Sequence, residues 1–313
     1  MITLESIQRA AAALQGVAVR TPLVTVPAAA LPGPPVGLKC EQLQPIGAFK
    51  VRGAFTAISR LPAEERARGV ITHSSGNHGQ AVAFVAKHFG IRAIIVMPAD
   101  APGVKVDGVR RHGGQVEFVT DRAQRQPRCE ELAAEHGMVM VPPYENPDVI
   151  AGQATVGLEI LDQCPEVRTI VVQVGGGGLI AGIASAVHAV RPKVEVVAVE
   201  PEGAPKLARA LEAGHPVRLA TAVSIADGLL PFQIGTLPFE VMRGIVRRAV
   251  QVSDDEIGAA VKFLHDRVSL DVEPSGAAAF AAILAKRIGR TGPTVAVVSG
   301  GNVDPELFQR LVH

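Results

Sequence analysis

"GVITHSSGNHGQAVAFVAKHFGIRAIIVMP" occupies residues 69–98 and decides the fold. "GVITHSS" is a short run rich in β-branched residues, "GQAVAFVAKHFG" an alanine-rich helical stretch, and "RAIIVMP" a second apolar run. Strand, helix and strand joined by short connections are the pattern of a parallel sheet covered by helices. The alternation continues through "PGVKVDGVRRHG", "QVEFVT", "RQPRCEELAAEHG" and "MVMVPP". A second series follows: "TIVVQV", a glycine run, "LIAGIASAVHAVRP", "VEVVAVE" and, near the C-terminus, "TVAVVSGGN". Each strand run is almost wholly apolar, as expected when both faces are buried. Two α/β units are therefore expected, with ligands beyond the carboxyl ends of the strands. No repeat or linker stands out, and "LPGPPVG" at 31–37 reads as a stiff loop.

Composition narrows the function classes. The chain has 313 residues, 48% of them hydrophobic, and a formal net charge of +1. That length holds two domain cores or one large α/β unit. Balanced charge, no basic run, 4% aromatic residues and no Trp argue against a nucleic-acid partner. The three cysteines, Cys40, Cys129 and Cys164, fit neither a disulfide framework nor a zinc spacing, which favours a reducing compartment. "MITLESIQRAAAALQG" is an amphipathic helix without a signal peptide's apolar core, and no apolar stretch reaches the length of a membrane span. A cytoplasmic protein without a membrane partner is expected.

Four loops carry the chemistry. In "EQLQPIGAFKVRGAF", residues 41–55, Lys50 follows a Pro-Gly turn and opens a helix. It reads either as a surface lysine or as a desolvated amine able to form a Schiff base, with Phe49 excluding water. "THSSGNHGQAVA", residues 72–83, ends a strand and opens a helix, placing Ser74, Ser75, Asn77 and His78 beside free N–H groups. One of them would suffice as a helix cap. "VGGGGLIAG", residues 174–182, lets the backbone wrap an anion at a helix N-terminus. Gly176, Gly178 and Ala181 also fit a dinucleotide fingerprint, with Glu200 spaced to hold a ribose. "VVSGGNVD", residues 297–304, puts Ser299 at a strand's carboxyl end, as a turn residue or as a partner for a heteroaromatic nitrogen.

In this order the loops resemble the serine/threonine dehydratase and serine racemase family, pyridoxal-phosphate enzymes of the tryptophan-synthase β-subunit fold. The resemblance runs through "LQPIGAFKVRGA", "SSGNHGQA", "MPADAPGVKVDGVRRHGG", "IAGQATVGLEI", "VGGGGLIAG", "IADG", "EPSGA" and "SGGN". The dinucleotide reading accounts for one loop of the four, so an oxidoreductase ranks well below, and a non-catalytic ligand-binding relative would have no use for the lysine. The resemblance implies a fold-type II α/β architecture: two open, twisted, mostly parallel sheets covered by helices, with the cofactor in the cleft between two domains. Residues 1–47 with 145–313 would form the large domain, and 48–144 a small, mobile, substrate-side domain. It further implies that Lys50 holds pyridoxal 5'-phosphate covalently beside Phe49. Asn77 would bond the ring hydroxyl, and Gly175, Gly176, Gly177 and Gly178 would cradle the phosphate. Ser299 would face the pyridine nitrogen, with Gly228 and Glu273 near the ring. Ser74, Ser75, Asn77 and His78 would receive the substrate carboxylate.

The implied reaction is β-elimination from a 3-hydroxy amino acid such as L-threonine or L-serine, giving a 2-oxo acid and ammonia. A hydroxyl at the ring nitrogen makes a weaker electron sink than an aspartate would, which favours elimination. Lys50 is the natural base for the α-proton. Ser75 matches the racemase's acid/base on the opposite face, so racemisation is a side or main activity, unless Ser75 only binds carboxylate. Three departures matter. Racemase-type relatives bind a divalent cation through a glutamate, a carbonyl and an aspartate. Here "EPEGAPK" offers Glu200 and Ala204, but Lys206 stands in the aspartate's place, so no metal is expected. After "IADG", Leu229, Leu230, Pro231 and Phe232 either make the substrate pocket more apolar or pack in the core. The chain ends soon after "SGGNVD", so a C-terminal regulatory domain with isoleucine feedback is not expected. A homodimer is the family habit.

Overall fold

The computed structural model describes residues 2–74 and 76–313. Among the described residues, ten strands form two sheets. They are β1 (Leu23–Thr25), β2 (Val36–Cys40), β3 (Val70–His73), β4 (Ala93–Pro98), β5 (Gln115–Val119), β6 (Val139–Met140), β7 (Thr169–Gln173), β8 (Glu195–Pro201), β9 (Ala249–Val252) and β10 (Thr294–Val298). The larger sheet has the order β1-β2-β10-β7-β8-β9 and the smaller β5-β4-β3-β6. All pairings are parallel except β1 with β2. The expected architecture of two mostly parallel, helix-covered sheets is what the chain adopts.

Alternate residues of a strand enter different cores, which is why the runs read as continuously apolar. Along β7, Ile170 and Val172 join one cluster and Val171 the other. Along β4, Ala93, Ile95 and Met97 pack on one face of the smaller sheet, and Ile94 and Val96 on the other. The edges depart from expectation. β5 has one neighbour and a mostly part-exposed pattern, with Phe118 46% exposed. The expected loop at 31–37 gives its last two residues to β2, where β10 pairs Thr294 with Val36 and Val295 with Gly37. Local turn chemistry cannot foresee that pairing, because its partner is some 250 residues away. β1 and β9 were not legible either: they are short edge strands whose residues lie largely outside the fully buried core.

Candidate active site

Lys50 begins the helix Lys50–Ser59, and the turn before it is pinned to the loop after β10. The Phe49 N–H donates to the Ser299 carbonyl at 3.0 Å, and Ala48 forms an isolated bridge with Gly300. Gly47 has φ 69°, and a Cβ there would stand 2.6 Å from Asn302 Oδ1. Both backbone handedness and space therefore demand glycine. Behind the helix start, Arg52 is 1% exposed and forks onto two carboxylates. Its Nε and Nη2 reach Glu41 at 2.7 and 2.9 Å, and Nη1 and Nη2 reach Glu159 at 2.7 and 2.9 Å. Lys39, fully buried, adds a second cation at 2.5 Å from Glu159. This network anchors the turn that carries Lys50.

The Lys50 Nζ donates to the Pro143 carbonyl at 3.0 Å and lies 5.1 Å from the centroid of the Phe49 ring. Burial, with no carboxylate to offset it, brings its pKa down to about 8. A protonated lysine here lacks a counter-charge, so the neutral amine is unusually accessible.

One cavity of about 320 Å³ is lined by Lys50, Phe49, Ser74, Asn77, His78, Gly175, Gly176, Gly177, Gly178, Gly228, Glu273 and Ser299. Each residue that the pyridoxal-phosphate resemblance assigns to cofactor or substrate therefore borders the same space, except Ser75, which lies outside the described residues. The glycine run separates β7 from the helix Gly178–Val190. Gly177 has φ 98°, and a Cβ on Gly176 would meet the Tyr144 ring at 2.1 Å. Tyr144, the one tyrosine of the chain, packs against the run and borders the same cavity as the loop's backbone.

Asn77 opens the helix Asn77–Phe89. Its Nδ2 donates to Glu273 Oε1 at 2.5 Å, and its Oδ1 accepts from Asn302 Nδ2 at 2.9 Å. His78 is held differently from a carboxylate receiver. Nε2 lies 2.9 Å from the Val141 carbonyl, so it carries the proton and donates, leaving Nδ1 bare and without a partner among the described residues. Burial and the nearby Lys50 push its pKa down to about 3, and His73 falls to about 4 through burial and Arg125. Ser74 Oγ accepts from the Gly76 N–H at 3.1 Å, but Gly76 is itself the N-cap and no side chain among the described residues caps this helix, so the capping role weighed from sequence is not the one Ser74 fills. Leu229 is buried in the core, and Leu230, Pro231 and Phe232 line the cavity, so both readings of that segment apply.

Glu200 does not face a ribose. It is fully buried and accepts from Lys206 Nζ at 3.3 Å and from the N–H groups of Leu207 and Ala208 at 2.8 and 2.9 Å. Lys206 Nζ also donates to the carbonyls of Ala204 and Leu229, each at 3.0 Å. An ammonium thus occupies the middle of an oxygen cage, and the dinucleotide reading loses its acidic partner.

The profile of the pyridoxal-phosphate dependent enzymes matches residues 14–300. The chain belongs to this family. An L-threonine ammonia-lyase of Thermotoga maritima is 39% identical, over 100% of this chain and 79% of that protein. A serine racemase of Oryza sativa is 39% identical, over 96% of this chain and 91% of its own length. The structure of maize serine racemase superposes with a TM-score of 0.94 at 38% identity, covering 98% of this chain and 96% of that one.

The cavity fits the family's cofactor. A desolvated amine with a lowered pKa, a glycine run at a helix N-terminus whose backbone could wrap an anion, and an oriented amide meet there. Gln173 supplies a separate sign: it is 2% exposed, lines the cavity, and neither its amide nitrogen nor its oxygen has a hydrogen-bond partner among the described residues. A buried amide without partners is costly, so a ligand with polar edges suits this wall. Sequence reasoning missed Gln173, Lys105, Asn302 and the Arg52 network. Asn302 and Lys105 lie within quoted motifs, but nothing local showed that they meet Asn77 and Glu273.

Proposed function

We propose that this enzyme removes water from a 3-hydroxy amino acid, with net formation of a 2-oxo acid and ammonia. The observation that carries the reading is Lys50: a desolvated amine at the junction of the glycine run and the Asn77 loop. Lys50 would hold pyridoxal phosphate covalently, Gly175 to Gly178 its phosphate, Asn77 its ring hydroxyl, and Ser299 its ring nitrogen. When bound, the cofactor supplies an electron sink that acidifies the substrate's α-proton. Lys50 takes that proton, since an amine with a pKa of about 8 exchanges protons readily near neutral pH. The N–H groups at the start of the Asn77–Phe89 helix, including that of His78, receive the α-carboxylate. The neutral His78 ring stays on Val141 and does not repel the ammonium form of Lys50.

The similarity to serine racemases supports racemisation as an accompanying activity, with Ser75 delivering a proton to the face opposite Lys50. The Lys206 cage supports a site that works without a divalent cation. Residues 1–47 with 145–313, around the larger sheet, and 48–144, around the smaller, form the two domains of this reading. The enzyme acts as a homodimer in the cytoplasm, where buried free Cys40, Cys129 and Cys164 stay reduced.

An aldehyde–amine absorbance band, lost on borohydride treatment and absent from Lys50→Ala, tests the assignment of Lys50. Serine, threonine, 3-hydroxyaspartate and phenylserine are then screened for 2-oxo acid release, which the reading requires from at least one. Chiral analysis of L-serine incubations with wild type and Ser75→Ala tests the second face. Undiminished D-serine in the variant removes Ser75 from the proton path.

A further inference from the structure

Lys105 is a buried charged side chain bordering the cavity that the reaction above leaves without a task. It stands on the helix Gly103–Arg111, which packs on the Asn77–Phe89 helix beside the smaller sheet. Its ammonium, 3% exposed, crosses the cleft to two carboxylates on the other side. Nζ lies 2.6 Å from Asp227 Oδ2, at the start of the turn Asp227–Leu229, and 3.1 Å from Glu273 Oε2. Glu273 immediately precedes the helix Pro274–Leu284, makes no capping bond to it with its side chain, and is 1% exposed. The lysine stem passes directly over Gly76, where a Cβ would stand 2.3 Å from Lys105 Cδ. Gly76 has φ 177°, which any residue adopts, so space for this stem is what requires glycine there.

Glu273 in turn determines how Asn77 is presented. Asn302 spends its Nδ2 hydrogens on the Ile46 carbonyl, at 2.8 Å, and on Asn77 Oδ1. Asn77 Nδ2 gives one hydrogen to Glu273 Oε1, and the second remains for a ligand in the cavity. A flipped Asn77 amide would set oxygen against carboxylate and nitrogen against nitrogen, so the orientation is fixed by its partners. The groups facing Glu273 are Lys105, Asp227, Asn77 and the Gly300 backbone. Burial and Asp227 both push the Glu273 carboxyl up, and Lys105 is the cation that opposes them. Oε2 has no hydrogen-bond partner besides this ion-pair contact among the described residues.

We propose that Lys105 is a positioning residue that latches the cleft shut across Asp227 and Glu273. In doing so it keeps Glu273 the anionic acceptor that aims the Asn77 amide at the cofactor ring. The inference rests on the reading of Asn77 given above, and its closing experiment separates the two. Lys105→Met, Lys105→Arg, Asp227→Asn and Gly76→Ala are compared with wild type, with and without pyridoxal phosphate. Limited proteolysis of the cofactor-free proteins reads closure without reference to activity. Cofactor dissociation and the absorbance balance of the bound cofactor read the aim of Asn77.

Lys105→Met is expected to be cleaved faster and to release cofactor about tenfold more readily, the size of an ordinary coupling between sites. Its absorbance balance shifts, Lys105→Arg recovers part of each change, and Asp227→Asn moves the same way by less. Gly76→Ala, which alters no charge, reproduces the Lys105→Met shift by displacing the stem. Wild-type proteolysis, affinity and absorbance in Lys105→Met overturn the proposal. If that variant does not fold, Asp227→Asn decides, and wild-type behaviour there overturns it equally. A wild-type protein without a Lys50-dependent band counts against the function reading instead, while the proteolysis comparison still judges the latch.

Discussion

Replacing Lys206 with methionine keeps the buried stem and deletes the ammonium. In the wild-type protein both Lys206 and Glu200 side chains are 0% exposed and 3.3 Å apart. Burial pushes the amine down and the carboxyl up, and each is held back by the other. Without the ammonium, Glu200 keeps only the Leu207 and Ala208 N–H groups, and the Ala204 and Leu229 carbonyls lose their donor. Breaking a buried pair from one side costs about 3–5 kcal/mol. Glu200 can retreat by taking a proton, which places the loss near the lower end, about 3 kcal/mol. For a chain of 313 residues this corresponds to a fall in Tm of about 5 °C. Lys206→Asp surrounds the same space with oxygens alone, so its stability should become cation-dependent. Millimolar Mg²⁺ or Ca²⁺ at about 100 times its Kd would restore about 2.7 kcal/mol. The assay is thermal unfolding of holoenzyme in chelator, then in each cation. A wild-type Tm that climbs with Mg²⁺, or a Met variant melting within about 1 °C of wild type, would refute the ammonium-for-metal argument.

Three further outcomes are expected. Trace acylation of the cofactor-free protein across pH should give a Lys50 midpoint of about 8, which leaves about 300-fold more neutral amine at pH 7 than an ordinary lysine has. A midpoint near the ordinary lysine value would remove the physical basis for its role. Arg52→Ala should lose about 3–5 kcal/mol in urea unfolding, and Arg52→Lys should regain less than half, because one ammonium cannot replace the fork onto Glu41 and Glu159. Full recovery by lysine would show that charge alone suffices. His78 binds its proton at about pH 3 in the folded chain and at about 6.5 when unfolded, so between these values the unfolded state holds more protons. Stability should therefore fall as pH drops below about 6.5, with His78 contributing up to about 1.4 kcal/mol per unit. His78→Asn should flatten that slope in urea titrations of the cofactor-free protein, and an unchanged slope would contradict a buried neutral imidazole.

The sequence by itself determined the two parallel sheets, because strands buried on both faces must be apolar throughout, and "AIIVMP" and "TIVVQ" satisfy that locally. It also determined the loops that meet at the cavity, because a glycine run at a helix start and a lysine behind a Pro-Gly turn are local signatures. The tertiary structure decided what these residues touch. The first two residues of β2 emerged from an apparent loop because β10 offered them partners, and His78 turned to Val141 because that carbonyl lay within reach. Glu200 could be read as a ribose ligand until Lys206 was found against it inside the protein. Lys105 lies within a motif of the resemblance, but 28 residues beyond Asn77 and over a hundred before Asp227 and Glu273 nothing local marked its partners. Its role depends on charges brought within about 3 Å across a cleft, and Coulomb attraction follows distance in space, not position in the chain.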